Sequence, residues 1–204
     1  MKWLIVPGLL VLVCSCESKG PAKARLTLVS KPANFNVTLP QTIDDMRARM
    51  RSISYSGNND RDFAYITTVF NNSIIDIAKL QIATGKQTKL KAFSQSMINE
   101  LKKDLTVLSN FLEHEPTTKS PDAEAFRKAM SSALNGLKVS NGYKAPDVDY
   151  LYAAVMIDCH KASTQMLRAE LDYGSHQTMK IETRNMLSQW EERLKGLQLL
   201  LLKK

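Results

Sequence analysis

Apolar residues return every three or four positions along most of the chain, the period that places them on one face of a helix. Pro40 suits the first turn of a helix. Ile43, Met46, Met50 and Ile53 continue that face to a stop at Gly57-Asn58-Asn59. A second run opens with Asp60-Arg61-Asp62, acidic charge that a helix N-terminus favours. It carries Phe63, Ile66, Phe70, Ile74, Ile77 and Gln81 as far as Gly85. A third holds Leu90, Phe93, Met97, Leu101, Leu105, Leu108 and Leu112, and residues 116–121, with a proline at each end, read as a loop. Phe126, Met130, Leu134 and Leu137 mark a short helix closing near Asn141-Gly142, before two more long helices over 149–173 and 178–202, parted by Gly174. Scarcely any segment alternates with the period of a strand, so the chain is expected to be all-α.

The second half repeats the first. Asp60 falls on Asp149, an offset of 89, and at that offset Phe63 falls on Tyr152, Gly85 on Gly174, Met97 on Met186, Ile98 on Leu187, Leu105 on Leu194 and Leu112 on Leu201. Matched glycines and matched apolar faces argue for duplication. Two helix pairs with one apolar face each bury those faces best against each other, which predicts a four-helix bundle. The expected domain spans 40–204, with one repeat at about 40–115 and another at about 122–204, each led by a short helix.

Ahead of the bundle, Lys2 and the apolar run from Leu4 to Val13 have the length of a signal peptide, short of the roughly 20 residues that span a bilayer. The run ends in Val13-Cys14-Ser15-Cys16, a small residue before a cysteine, which predicts a lipoprotein signal over 1–15 and lipidation of Cys16. An ordinary secretory signal cleaved nearby is the alternative. Residues 16–39 read as a tether. The expected location is a bacterial cell envelope, held to the membrane through the lipid and facing the periplasm or the cell surface. Cys159 would then be the one free thiol, either a buried small hydrophobe or a group kept for chemistry. Loss of Lys2 with the signal leaves 27 Lys+Arg against 20 Asp+Glu, or +7. These basic residues are scattered and do not alternate with exposed aromatics, so no nucleic-acid partner is expected.

The stretches Asp60-Arg61-Asp62-Phe63-Ala64, Ile75-Asp76-Ile77-Ala78-Lys79 and Gly85-Lys86 resemble the bacterial "domain of unknown function 305" family. Met156-Ile157-Asp158-Cys159-His160 and Ala169-Glu170-Leu171 resemble it again, so that the likeness runs from about Met46 to Leu201. It implies an exported, ferritin-like helical bundle with a histidine pair on each of two helices, linked in some members to copper or other metals. Here the first pair falls on Phe70 and Asn71 and the second on Cys159 and His160, so one of four histidines is present. A later acidic position is Asp104 in the first half and Arg193 in the second.

Phe70 has no lone pair and Asn71 is a poor ligand for a soft metal. Met156, Cys159 and His160 sit three and four apart on one helix, with Met166 continuing the face, and their thioether, thiol and imidazole suit Cu(I). The same three also read as packing residues. His114 and His176 lie at loops. Adjacent Cys159 and His160 diverge by about 100° and cannot act as a nucleophile and its base, and the Glu-x-x-His pairs of di-iron bundles are absent. The expected function is a non-enzymatic envelope lipoprotein, a structural or interaction module with an unidentified envelope protein partner and no cofactor. The alternative is a copper-binding protein using Met156, Cys159 and His160, with a homodimer completing the site.

Overall fold

The computed structural model describes residues 38–114, 118–138, 140–142 and 147–202. The signal segment, Cys16 and almost all of the tether lie outside the described residues. Among those residues every regular element is helical: α1 Leu39–Arg51, α2 Asn59–Thr84, α3 Thr88–His114, α4 Ala123–Asn135, α5 Val148–Tyr173 and α6 Gln177–Leu202, with a 3-10 turn at Ser140–Gly142. No described helix is long and apolar enough to cross a membrane.

α1 starts at a reciprocal cap, the Thr38 hydroxyl accepting from the Gln41 N–H while the Gln41 side chain takes the Thr38 N–H. It stops at Arg51, short of the expected Gly57, because α2 takes the chain away. The Asp62 carboxylate accepts the N–H groups of Ser56 (2.7 Å) and Gly57 (3.0 Å) and holds that segment as a loop. α4 likewise ends at Asn135, ahead of Asn141-Gly142, with Leu137 buried beyond it.

The long helices form two hairpins, α2 on α3 and α5 on α6, joined where α2 packs on α5 and α3 on α6; α1 lies on α2 and α4 on α5. α3 and α6 each bury a narrow seam. Leu90, Ser94, Met97, Leu101, Asp104 and Leu108 line the first; Met179, Thr183, Met186, Trp190, Arg193 and Leu197 line the second. Each of these six positions has its counterpart in the other seam at the offset of 89, and both sets alternate steps of four and three as a heptad does, while Ile98 is buried beside the first seam and its counterpart Leu187 only half-buried. α2 and α5 are buried on more faces because each lies against a short helix as well. One asymmetry is chemical: the Tyr152 hydroxyl meets Ser94 Oγ at 2.7 Å, whereas its counterpart Phe63 has no hydroxyl, and Thr183, the counterpart of Ser94, is buried with no hydrogen-bond partner.

Candidate functional site

Two places hold buried polar groups: the hairpin turns and the middle of the bundle. At the turns, neither α3 nor α6 has an acidic residue in its own first turn. Each takes its negative charge from the opposite half. Asp149, at the start of α5, accepts the N–H groups of Lys86 (3.0 Å) and Gln87 (3.1 Å) ahead of α3, and the Gln81 amide nitrogen donates to the same carboxylate. Asp60, at the start of α2, accepts the N–H groups of Ser175 (2.9 Å) and His176 (2.8 Å) ahead of α6, and the Ser175 hydroxyl at 2.7 Å. Charge-assisted bonds to free helix-start N–H groups are among the stronger ones a protein makes.

Gly85 and Gly174 are needed there for close approach. A Cβ at Gly85 would lie 2.6 Å from the Gln81 carbonyl and 2.7 Å from Asp149; one at Gly174 would lie 2.6 Å from the Glu170 carbonyl. Burial pushes Asp60 up, but the His176 and Ser175 N–H groups, the Ser175 hydroxyl and Glu170 hold it below the usual carboxylate range. Burial, with Asp60 alongside, raises Glu170 to about 10. The acidic Asp60 therefore serves the other half's helix, not only its own N-terminus.

In the middle of the bundle, the four positions matched to the family's histidines are all fully buried: Phe70 and Asn71 on α2, Cys159 and His160 on α5. Phe70 lies 6.4 Å, ring to ring, from Trp190, which fills the space beside it. His160 Nδ1 is tied to the Met156 carbonyl at 2.6 Å, and the ring meets Trp190 edge-on at 4.8 Å and Phe93 at 6.3 Å. The Arg193 guanidinium stacks over Trp190 at 4.8 Å from its centroid, and its Nε lies 2.7 Å from a Glu100 oxygen.

Burial, helped by the nearby positive Arg193 against the Met156 bond, lowers His160 to about 4. Burial, set against Arg193 and reinforced by Glu100 and Glu182, raises Asp104 to about 6. Burial pushes the Cys159 thiol up, with Asp158 adding to it. The thiol is thus kept protonated and poorly nucleophilic. Alkylating reagent applied to the native chain should leave the Cys159 peptide unmodified and label it only in denaturant; stoichiometric labelling of the native chain, read by mass spectrometry, would refute this burial.

Sequence reasoning had placed Met156, Cys159 and His160 together, and all three are buried on α5. The structure aims the His160 ring at aromatic side chains. Among the described residues no three His, Cys, Asp or Glu side chains are grouped to hold a metal ion. His114 is exposed at the end of α3, and His176 is half-buried against Phe111 at 5.1 Å. Trp190, the Arg193–Glu100 pair and the Gln81/Glu170 match went unremarked in the sequence; the last could have been found, because those residues also stand 89 apart.

A family profile described as a domain of unknown function (DUF305) matches residues 60–201. The chain belongs to the DUF305 family. No curated protein and no solved structure matches it significantly. The DUF305 match begins at Asp60, which caps the turn between α5 and α6, and covers both seams. Within that frame the histidine-pair positions hold one aromatic, one amide, one thiol and one imidazole: Phe70, Asn71, Cys159 and His160.

Proposed function

We propose that this DUF305 protein is a non-enzymatic lipoprotein of the bacterial envelope, a structural or interaction module whose four long helices form a ferritin-like bundle. The single observation that carries this reading is the filling of the histidine-pair locus: Phe70 against Trp190, and Trp190 against both the His160 ring and the Arg193 guanidinium. A bundle with reciprocal turn caps, and with Phe70, Asn71 and Cys159 at three of the four histidine-pair positions, has the parts that shape a scaffold. Cys16 would carry the lipid, the residues between it and the α1 cap at Thr38 would set the distance from the membrane, and the outer faces would meet an envelope protein.

Palmitate labelling with membrane fractionation tests the anchor. Wild type should be labelled and sediment with membranes, and Cys16→Ser should do neither; an unlabelled, freely soluble wild type would defeat the anchor. Pull-down of the full chain from native membranes tests the module. The same envelope protein should be captured by wild type and by Cys159→Ala/His160→Ala, and capture abolished by that pair of substitutions would move the function into the core.

One observation favours a second reading, Cu(I) binding through Met156, Cys159 and His160: the His160 Nε2 is buried with no hydrogen-bond partner. A metal is one way to satisfy such a nitrogen, although full burial of Met156, Cys159 and His160 keeps a second copy of the chain from completing the sphere.

A further inference from the structure

We infer that Glu170 keeps its proton at neutral pH and donates it to the Asp60 carboxylate, so that the turn between α5 and α6 is closed by a proton-dependent latch and the turn between α2 and α3 by its proton-independent twin. The observation is a matched pair of buried side chains. Gln81 and Glu170 are counterparts at the offset of 89, both fully buried in the last turn of their helices. Each curls beneath the glycine that ends its helix: a Cβ at Gly85 would lie 2.3 Å from Gln81 Nε2, and one at Gly174 would lie 2.3 Å from Glu170 Oε1. At the first turn the amide N–H of Gln81 donates to Asp149. At the second, the equivalent Glu170 carboxyl is placed against Asp60, and neither Glu170 oxygen has a hydrogen-bond partner.

Two carboxylates with no proton between them would repel in a site that water does not reach. One proton makes Glu170 the isostere of Gln81, a neutral donor of the same length aimed at the same acceptor position. Asp60 is already committed as the anion, since it accepts two backbone N–H groups and a hydroxyl. The other charged group bearing on Glu170 is Lys180 from α6, which lowers it less than burial and Asp60 raise it. His176 shows the pair its backbone N–H, while its ring Nδ1 accepts the Met179 N–H and its edge meets Phe111. When the latch opens, the Glu170 proton passes to hydroxide and two carboxylates remain facing each other.

The sign of the effect follows. A glutamate whose proton is held more tightly in the folded chain contributes fully below its unfolded titration range, and that contribution is lost as pH rises toward about 10. The test uses the full chain as wild type, Glu170→Gln and Gln81→Glu. Infrared spectra at pH 8, where Asp104 is ionised, should show one neutral carboxylic-acid carbonyl band in wild type, none in Glu170→Gln, and a second in Gln81→Glu. Between about pH 5 and 10 the unfolding constant of wild type should climb relative to that of Glu170→Gln by up to about tenfold per pH unit. Absence of the wild-type band at pH 8 overturns the proposal whether or not the variants fold. Parallel pH profiles for wild type and Glu170→Gln would overturn it as well.

Discussion

Replacing Trp190 with alanine should lower the free energy of unfolding by about 3–5 kcal/mol, the range for deleting a large aromatic from a packed core. Trp190 is among the largest fully buried side chains of the chain. Its ring meets Phe70 on one side and His160 on another, and Arg193 stacks over it. Alanine removes the contacts of all three and leaves a buried cation without the ring face it rests on. Trp190→Leu installs the residue found at the matching seam position, Leu101, and should recover a large part of the loss. Urea unfolding followed by circular dichroism checks both. A loss below about 1 kcal/mol for the alanine variant would mean that Trp190 does not fill the histidine-pair locus, and the structural reading would lose its main support.

Asp149→Ala should cost about 2–4 kcal/mol and should do so at a distance along the chain, since its partners lie in the turn before α3. The carboxylate accepts from Lys86, Gln87 and the buried Gln81 amide. Its removal strands the Gln81 donor in a place that water does not reach and takes the anion from the start of α3. Amide protons of Lys86 and Gln87 should then exchange with solvent at least about tenfold faster, a rate that corresponds to a local loss of about 1.4 kcal/mol. Unchanged protection at those two amides would show that the turn stands without its cross-half cap. Asp60→Ala should act in the same way on Ser175 and His176, through bonds of similar length.

The helices were legible because their apolar spacing is regular and their ends carry glycine. Gly85 and Gly174 stop α2 and α5 where the repeat places them. The α1 boundary failed where a side chain five and six residues further on took the backbone. Asp62 draws Ser56 and Gly57 out of any continuation of α1, and a periodicity of apolar residues carries no trace of that pull.

The burial of Phe70 also followed from its face, whereas Cys159 read equally as a buried hydrophobe or a group kept for chemistry, and the structure buries it. The role of Asp60 did not follow from its place in the chain, because its partners stand 115 and 116 positions away and helix-start acids usually serve their own helix. Trp190 was hidden by its neighbours Gln189, Glu191 and Glu192, which make the stretch look solvent-facing although the seam turns that one position inward. Asp104 and Arg193 read as a broken motif in the sequence. In the bundle they are counterparts on facing seams, with Arg193 drawing Asp104 downward against its burial and bonding Glu100.

The proposed structural role rests on the packing of the histidine-pair positions by the chain's own side chains, Phe70 against Trp190 and Trp190 against His160. Titration of the full chain with Cu(I) under reducing conditions, beside Cys159→Ala/His160→Ala, tests it most directly. The account predicts no tight stoichiometric uptake by wild type and indistinguishable curves for the two proteins. Tight uptake of copper by wild type that disappears in the double variant would contradict it.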